Sequence, residues 1–297
     1  MAAALVAAMA VAAAGCSTSA PGTTAATAAA DAAGTTTPYG PGAAGGTSAT
    51  SVAAQAATRS YAAQVDTATA AFVSAVDQLQ TDASAGDTTA ARADELAAQG
   101  DYDAFRALET GDSVNGSTLD ELAGDVSGVG SFGGLHAVER DLWASGPVDT
   151  DTSALLGQAP VAQFLLGRER LGPEAIGEVA VDQLTWVVDE ALPVSQEQYS
   201  HLGLVDVAAT VQAAARAFSA VEPLARLVDP ALTTTVAGRF SSLDTEVATL
   251  GNPTTVPDTA VTAPERLAVS QELDATASTL ARLTAALTPF GTSGTPS

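Results

Sequence analysis

The two histidines of this 297-residue chain lie in two short motifs and are the side chains best suited to bind a metal. His136 and Glu139 stand three residues apart in the stretch GLHAVE, and on a helix this spacing places the imidazole and the carboxylate on one face. His201 ends a second stretch, EQYSH. We therefore expect His136 and Glu139 to bind a divalent or trivalent metal ion together. For His201 and Tyr199, ligand binding and a purely structural role both remain open.

The composition restricts the chemistry that can accompany this pair. The chain has 34 acidic and 11 basic residues, a formal charge of −23, and every basic residue is arginine. Such a charge attracts cations and repels nucleic acid, so no nucleic-acid partner is expected. The absence of lysine excludes Schiff-base chemistry. The single cysteine, Cys16, excludes an intramolecular disulfide and a thiolate zinc cluster.

The N-terminal residues are typical of an exported protein. Residues 1–15 form an uncharged, Ala-rich stretch of the length of a signal-peptide core, and they end in Ala-Ala-Gly before Cys16. This context resembles the lipobox of bacterial lipoproteins, in which the cysteine is lipidated and becomes the mature N-terminus. We expect a lipoprotein anchored by Cys16 to the outer face of the bacterial cell membrane. The alternative is an ordinary leader that is cleaved elsewhere.

The rest of the chain divides by composition into a tether, a helical domain and a short tail. Residues 16–57 consist almost entirely of Ala, Gly, Ser, Thr and Pro, which predicts a disordered tether. From 58 to 290 apolar residues recur at helical spacing, beginning with Tyr61, Val65 and Phe72, and no sustained alternation predicts a strand. Residues 291–297 are expected to be a disordered tail. We therefore predict an all-α domain of packed helices.

Three prolines mark where helices should begin. Pro173, Pro230 and Pro264 each precede a long apolar-periodic segment, at the position where proline is tolerated in a first helical turn. A further helix is expected from Leu204 to Leu227, with an interruption or a kink near Pro223.

Several motifs occur in the order found in one known family. The stretch 133–143, GGLHAVERDLW, resembles the GxHxxE signature of the imelysin-like proteins, in particular the EfeO/EfeM branch of bacterial iron-uptake lipoproteins. The segments AGD at 85–87, LTWVVDE at 184–190 and EQYSHLGLVD at 197–206 are similar to further segments of that family. Three positions depart from the pattern: Gln99 stands in place of an arginine, Arg106 lies near the place of an expected glutamate, and Gly203 stands where aspartate is common.

The resemblance implies a fold, a metal and partners. It implies two packed four-helix-bundle-like lobes that bind iron, as Fe²⁺ or Fe³⁺, or a similar divalent cation. The partners would be an iron permease and a haem peroxidase of the same uptake system, with the membrane reached through the lipid anchor. Oxygen ligands besides His136 and Glu139 are expected from Glu109, Glu190 and Asp206.

Two other functions fit part of the sequence. Imelysin-like proteins are sometimes grouped with metallopeptidases, but neither HExxH nor HxxEH occurs, because Arg140 stands where the second pattern needs histidine. A structural or adhesive surface bundle would use the same anchor and tether without a metal. A binding protein is therefore expected rather than an enzyme.

Overall fold

The computed structural model describes residues 48–108, 119, 133–144, 149–167, 170–193 and 196–290. All of them belong to one unit, Gly46–Ser297. The predicted leader, Cys16, most of the predicted tether, Glu109 and the predicted tail lie outside the described residues.

The all-α prediction is confirmed, since the described residues form eight helices and contain no strand. The helices are α1 (Ala49–Ala85), α2 (Thr88–Asp103), α3 (Gly134–Ala144), α4 (Asp149–Leu166), α5 (Pro173–Trp186), α6 (Leu204–Val228), α7 (Pro230–Thr249) and α8 (Ala263–Leu287). A π-helical turn, Val187–Ala191, continues α5.

The predicted boundary between tether and domain at residue 58 is wrong, because α1 already begins at Ala49. The Ser48 hydroxyl caps this helix by accepting a hydrogen bond from the Ser51 N–H at 3.2 Å. Ala57 is buried in the core, and Ala53 and Ala54 pack against it. Alanine has the highest intrinsic helix propensity, so a segment poor in large side chains can still extend a packed helix. Residues 49–57 therefore belong to the helical domain.

The prolines act largely as predicted. Pro173 and Pro230 occupy the first positions of α5 and α7, and Pro264 lies in the first turn of α8. Asp229 caps α7 by accepting from the Leu232 N–H at 2.9 Å. Pro223, by contrast, does not interrupt α6, which runs without a break from Leu204 to Val228.

The helices pack as two groups of four. Within the first group α1 contacts α2 and α4, and α3 contacts α2 and α4; within the second, α5 contacts α6 and α8, and α7 contacts α6 and α8. Contacts of α6 with α1 and α2 join the groups, and the buried apolar side chains form one continuous core. The arrangement places α2 and α3 beside the chain segment that leads into α6.

Helix α6 is the most apolar of the long helices. By length and composition alone it could cross a membrane, but 67% of its most apolar window is buried inside the fold. Its contacts with α1, α2, α5, α7 and α8 are those of a central core helix.

Candidate metal centre

Helix α3 carries the His136 and Glu139 pair on its buried side. The helix begins at Gly134, whose φ of 77° lies in the left-handed region that glycine adopts without strain. Leu135, Val138 and Leu142 are all buried and fix the helix in the core. The side chains of His136 and Glu139 are 2% and 0% exposed, so both point into the protein.

The segment just before α6 wraps around the Glu139 carboxylate. The backbone N–H groups of Tyr199 and Ser200 both donate to Glu139 Oε1, at 2.9 and 2.7 Å. Hydrogen bonds from N–H groups to a buried carboxylate stabilise its charged form. Glu139 is thus held as an anion with its second oxygen, Oε2, directed towards His136.

The same segment adds a third ligand-type side chain, Glu197. His136 Nδ1 lies 3.8 Å from Glu139 Oε2 and 3.7 Å from Glu197 Oε1, and Glu197 is fully buried. The Ser200 hydroxyl donates to the other Glu197 oxygen, Oε2, at 3.3 Å. We refer to His136, Glu139 and Glu197 as the His–Glu–Glu group.

The geometry of the His–Glu–Glu group fits a metal ion. One nitrogen or oxygen ligand atom from each side chain lies within 4.8 Å of the others. Ligands bound at about 2.0–2.2 Å are separated by roughly 3–3.5 Å around one ion. The separations of 3.7 and 3.8 Å exceed a normal hydrogen bond and need to contract by only a few tenths of an ångström. The group could therefore bind a metal ion, and the donor atoms alone do not identify it.

Further buried acids lie near this group and influence its charge. Burial, together with the neighbouring carboxylates of Glu95, Asp206 and Glu139, holds the pKa of Glu197 well above its ordinary value. The pKa of Glu139 is lowered: burial acts to raise it, but His136 and the Ser200 and Tyr199 N–H groups outweigh burial. A cation placed among these carboxylates would relieve their mutual repulsion.

The structure places some of the predicted ligand residues in or beside the His–Glu–Glu group and others away from it. His136 and Glu139 lie together, and Asp206 is fully buried and close enough to act on Glu197. Glu190 is not part of the site, because the π-helical turn leaves its side chain exposed while the His–Glu–Glu group is buried. Glu109 lies outside the described residues.

The two other candidates contribute through their backbone. Tyr199 donates its N–H to Glu139, and the N–H of His201 donates to the Glu197 carbonyl at 3.0 Å. The His201 side chain is exposed, and its φ of 60° marks the turn that leads into α6. The structural role left open for His201 is therefore the one that its position supports.

Sequence reasoning missed Glu197 as a member of the His–Glu–Glu group and Glu95 as a buried acid that acts on it. Glu197 belongs to the EQYSH stretch, but a ligand in an irregular segment has no helical spacing to reveal it. Glu95 did leave a signal. On the buried face of α2, Glu95, Gln99 and Asp103 follow one another at intervals of four residues among apolar neighbours.

No protein-family profile matches the chain, and no curated protein matches it. The resemblance to the imelysin-like proteins therefore stays a prediction from the motifs.

Proposed function

We propose that this protein is a cell-surface lipoprotein that binds iron, or a similar cation, at the His–Glu–Glu group and supports its uptake through a membrane permease. The observation that carries the proposal is the burial of one imidazole and two carboxylates with their ligand atoms within 4.8 Å of one another. Buried carboxylates are costly unless they are paired or coordinate a metal. Binding a cation supplies the reason for their burial.

The donor set supports iron among the available cations. Imidazole favours iron, zinc, copper and nickel, whereas carboxylates favour magnesium, calcium and manganese. A site with both donor types and no thiolate suits Fe²⁺ or Fe³⁺. The formal charge of −23 would raise the local concentration of any cation around the protein.

The proposed location and partners rest on the sequence. Cys16 in its Ala-Ala-Gly context would anchor the chain to the outer face of the cell membrane. From there the protein would pass iron to a permease, with a haem peroxidase as a further component of the same system. Replacing Cys16 with Ala should release the protein from the membrane fraction. Membrane association that persists in this variant would contradict the anchor.

Burial of the group counts against the metallopeptidase alternative. A catalytic zinc keeps an open position for water and substrate. The three side chains are 2%, 0% and 0% exposed, which leaves no access for a peptide bond in this conformation. We expect no cleavage of casein or of a peptide library by the metal-loaded protein.

The decisive experiment is equilibrium dialysis against Fe²⁺ under anaerobic conditions, followed by metal analysis. The wild-type protein should bind iron stoichiometrically, and His136→Ala should lose that binding while keeping its circular dichroism spectrum. His201→Ala is the matched control, because it removes the other histidine from an exposed position outside the group. Unaltered binding by His136→Ala would favour the structural-bundle alternative or a site elsewhere.

A further inference from the structure

Helices α2 and α6 bury a second set of oxygen donors beside the His–Glu–Glu group. Glu95 and Gln99 lie four residues apart on α2, and Asp206 and Thr210 lie four residues apart on α6. All four side chains are at most 1% exposed. We refer to these four residues as the oxygen set.

The close packing of α2 against α6 places the two pairs of the oxygen set on neighbouring helices. A Cβ added to Gly100 of α2 would contact Val205 and Ala209 of α6 at 3.6 and 3.7 Å, so the backbones approach closely at this level. Gln99 is adjacent to Gly100 in the sequence of α2. On α6, Asp206 is adjacent to Val205 and Thr210 is adjacent to Ala209. The buried neighbours of this contact are therefore Gln99 on one helix and the Asp206–Thr210 pair on the other.

The acids of the oxygen set also lie near the first group. The carboxylates of Glu95 and Asp206 both act to raise the pKa of Glu197. Asp103, one turn beyond Gln99, is not counted in the oxygen set, because its Oδ1 lies 3.4 Å from Arg106 Nε and forms an ion pair with it.

Thr210 differs from most buried helical threonines of this protein. Thr69, Thr233 and Thr276 each donate their hydroxyl to the carbonyl four residues earlier, at 3.0, 2.6 and 2.7 Å. Thr210 Oγ1 has no hydrogen-bond partner among the described residues, and neither does Gln99 Oε1. A buried hydroxyl and a buried amide oxygen are rarely left without a hydrogen-bond partner, and binding an ion is one of the standard ways to satisfy them.

We propose that the oxygen set forms a second cation position, next to the His–Glu–Glu group. Two carboxylates, an amide oxygen and a hydroxyl are hard ligands, so this position takes a cation such as Mn²⁺, Mg²⁺, Ca²⁺ or iron. It deepens the proposed function, on which it rests, because the protein would then hold two ions in one buried centre. Two cations would then neutralise four carboxylates, those of Glu139 and Glu197 in the first group and those of Glu95 and Asp206 in the oxygen set.

The test is metal stoichiometry with Mn²⁺, whose free and bound forms are distinguished by electron paramagnetic resonance. The full chain dialysed against MnCl₂ should bind two equivalents. The double variant Gln99→Leu, Thr210→Val should keep one equivalent and bind the second at least ten- to a hundredfold more weakly, the loss typical when support for a metal site is removed. His136→Ala should lose the other equivalent.

Thr284→Val is the matched control for Thr210→Val. Thr284 Oγ1 is also buried without a hydrogen-bond partner among the described residues, but it packs against Gly177 on the far side of the fold. This variant should keep two equivalents. Circular dichroism should be the same for all variants, because both substitutions on α2 and α6 replace polar atoms with apolar groups of similar size.

The possible outcomes separate the two proposals. One equivalent in the wild type, lost in His136→Ala and kept in the double variant, would overturn the second position and leave the proposed function standing. Two equivalents in the double variant would also overturn the second position. Binding of Fe²⁺ that His136→Ala leaves unaltered, or no binding of Fe²⁺ by the wild type, would overturn the proposed function itself, whereas a wild type that binds no Mn²⁺ would overturn only the second position.

Discussion

Two parts of the interior are built from similar helices and bury opposite kinds of side chain. Between α2, α3 and α6 lies a polar core, made of the His–Glu–Glu group and the oxygen set. Between α5, α7 and α8 the interior is mainly apolar, with Leu243 of α7 and Leu273 and Leu280 of α8 almost completely buried. Thr233 and Thr276, which are also buried there, are satisfied by carbonyls of their own helices.

The difference separates the part that holds the fold together from the part that could bind a metal ion. Burial of apolar side chains stabilises a protein in proportion to the area removed from water. Buried carboxylates oppose folding unless hydrogen bonds or cations compensate them. We therefore expect stability to depend on the apolar core and to be limited by the polar core when no metal is present.

The largest loss of stability should come from the apolar core. Leu273→Ala should lower the free energy of unfolding by about 2–5 kcal/mol, because it removes buried area and leaves a cavity. Urea denaturation should show the loss equally with and without metal. The control is Leu267→Ala on the same helix, whose side chain is 58% exposed and whose removal should change little. Equal losses for the two variants would contradict this assignment of the core.

In the polar core, a substitution that disrupts binding should stabilise the metal-free protein. Glu197→Gln replaces an acid that burial and the carboxylates of Glu95, Asp206 and Glu139 force to stay protonated in the folded state, so the metal-free free energy of unfolding should rise by roughly 1–3 kcal/mol. Metal at 100 times its dissociation constant should stabilise the wild type by about 2.7 kcal/mol and the variant by much less. Denaturation with and without Mn²⁺ measures both effects.

Glu190→Gln is the matched change at an exposed position. It should alter neither the stability of the metal-free protein nor the stabilisation by Mn²⁺. A metal-free Glu197→Gln protein that is less stable than the wild type would contradict the description of Glu197 as a strained buried acid.

The stability of the metal-free protein should depend on pH, because the polar core contains two acids, Glu197 and Glu139, whose pKa values are shifted in opposite directions. The pKa of Glu197 is raised above its ordinary value of 4.5, so the folded state binds the extra proton and stability falls as pH rises from about 4.5 through the raised pKa. The pKa of Glu139 is lowered, so its contribution is present above pH 4.5 and is lost below it. Urea midpoints measured from pH 4 to 8 should therefore decline towards alkaline pH. Glu197→Gln should reduce that decline, and a wild-type stability that rises over this range would contradict the prediction.

The smallest losses of stability should come from removing helix caps. The loss should be equal for α2, beside the polar core, and for α7, beside the apolar core. Asp229→Ala removes the cap of α7, and Asp87→Ala removes the cap of α2, where Asp87 Oδ1 accepts from the Ala90 N–H at 3.1 Å. Each should cost about 1 kcal/mol, since a cap satisfies backbone donors whatever the helix carries. Thermal denaturation measures the cost. A much larger loss for Asp87→Ala alone would mean that the polar core depends on the exact start of α2.

Much of the fold could be read from local patterns, and the errors have physical causes. Pro173, Pro230 and Pro264 mark helix starts because their effect on the backbone is local. The beginning of α1 was misplaced because alanine supports a helix without offering the large apolar side chains that periodicity detects. Glu190 was misassigned because acidic residues are abundant in the chain and sequence alone does not tell which of them are buried.

The sequence by itself determined the helical fold, the strong negative charge and the pairing of His136 with Glu139, because all three depend on composition or on spacing within one helix. Only the tertiary structure decided which other groups join that pair. Glu197 reaches it from an irregular segment 58 residues beyond Glu139, and the N–H groups of Tyr199 and Ser200 come from positions 60 and 61 residues beyond Glu139. Side chains from distant segments meet through the packing of α2, α3 and α6, and no local spacing encodes that meeting.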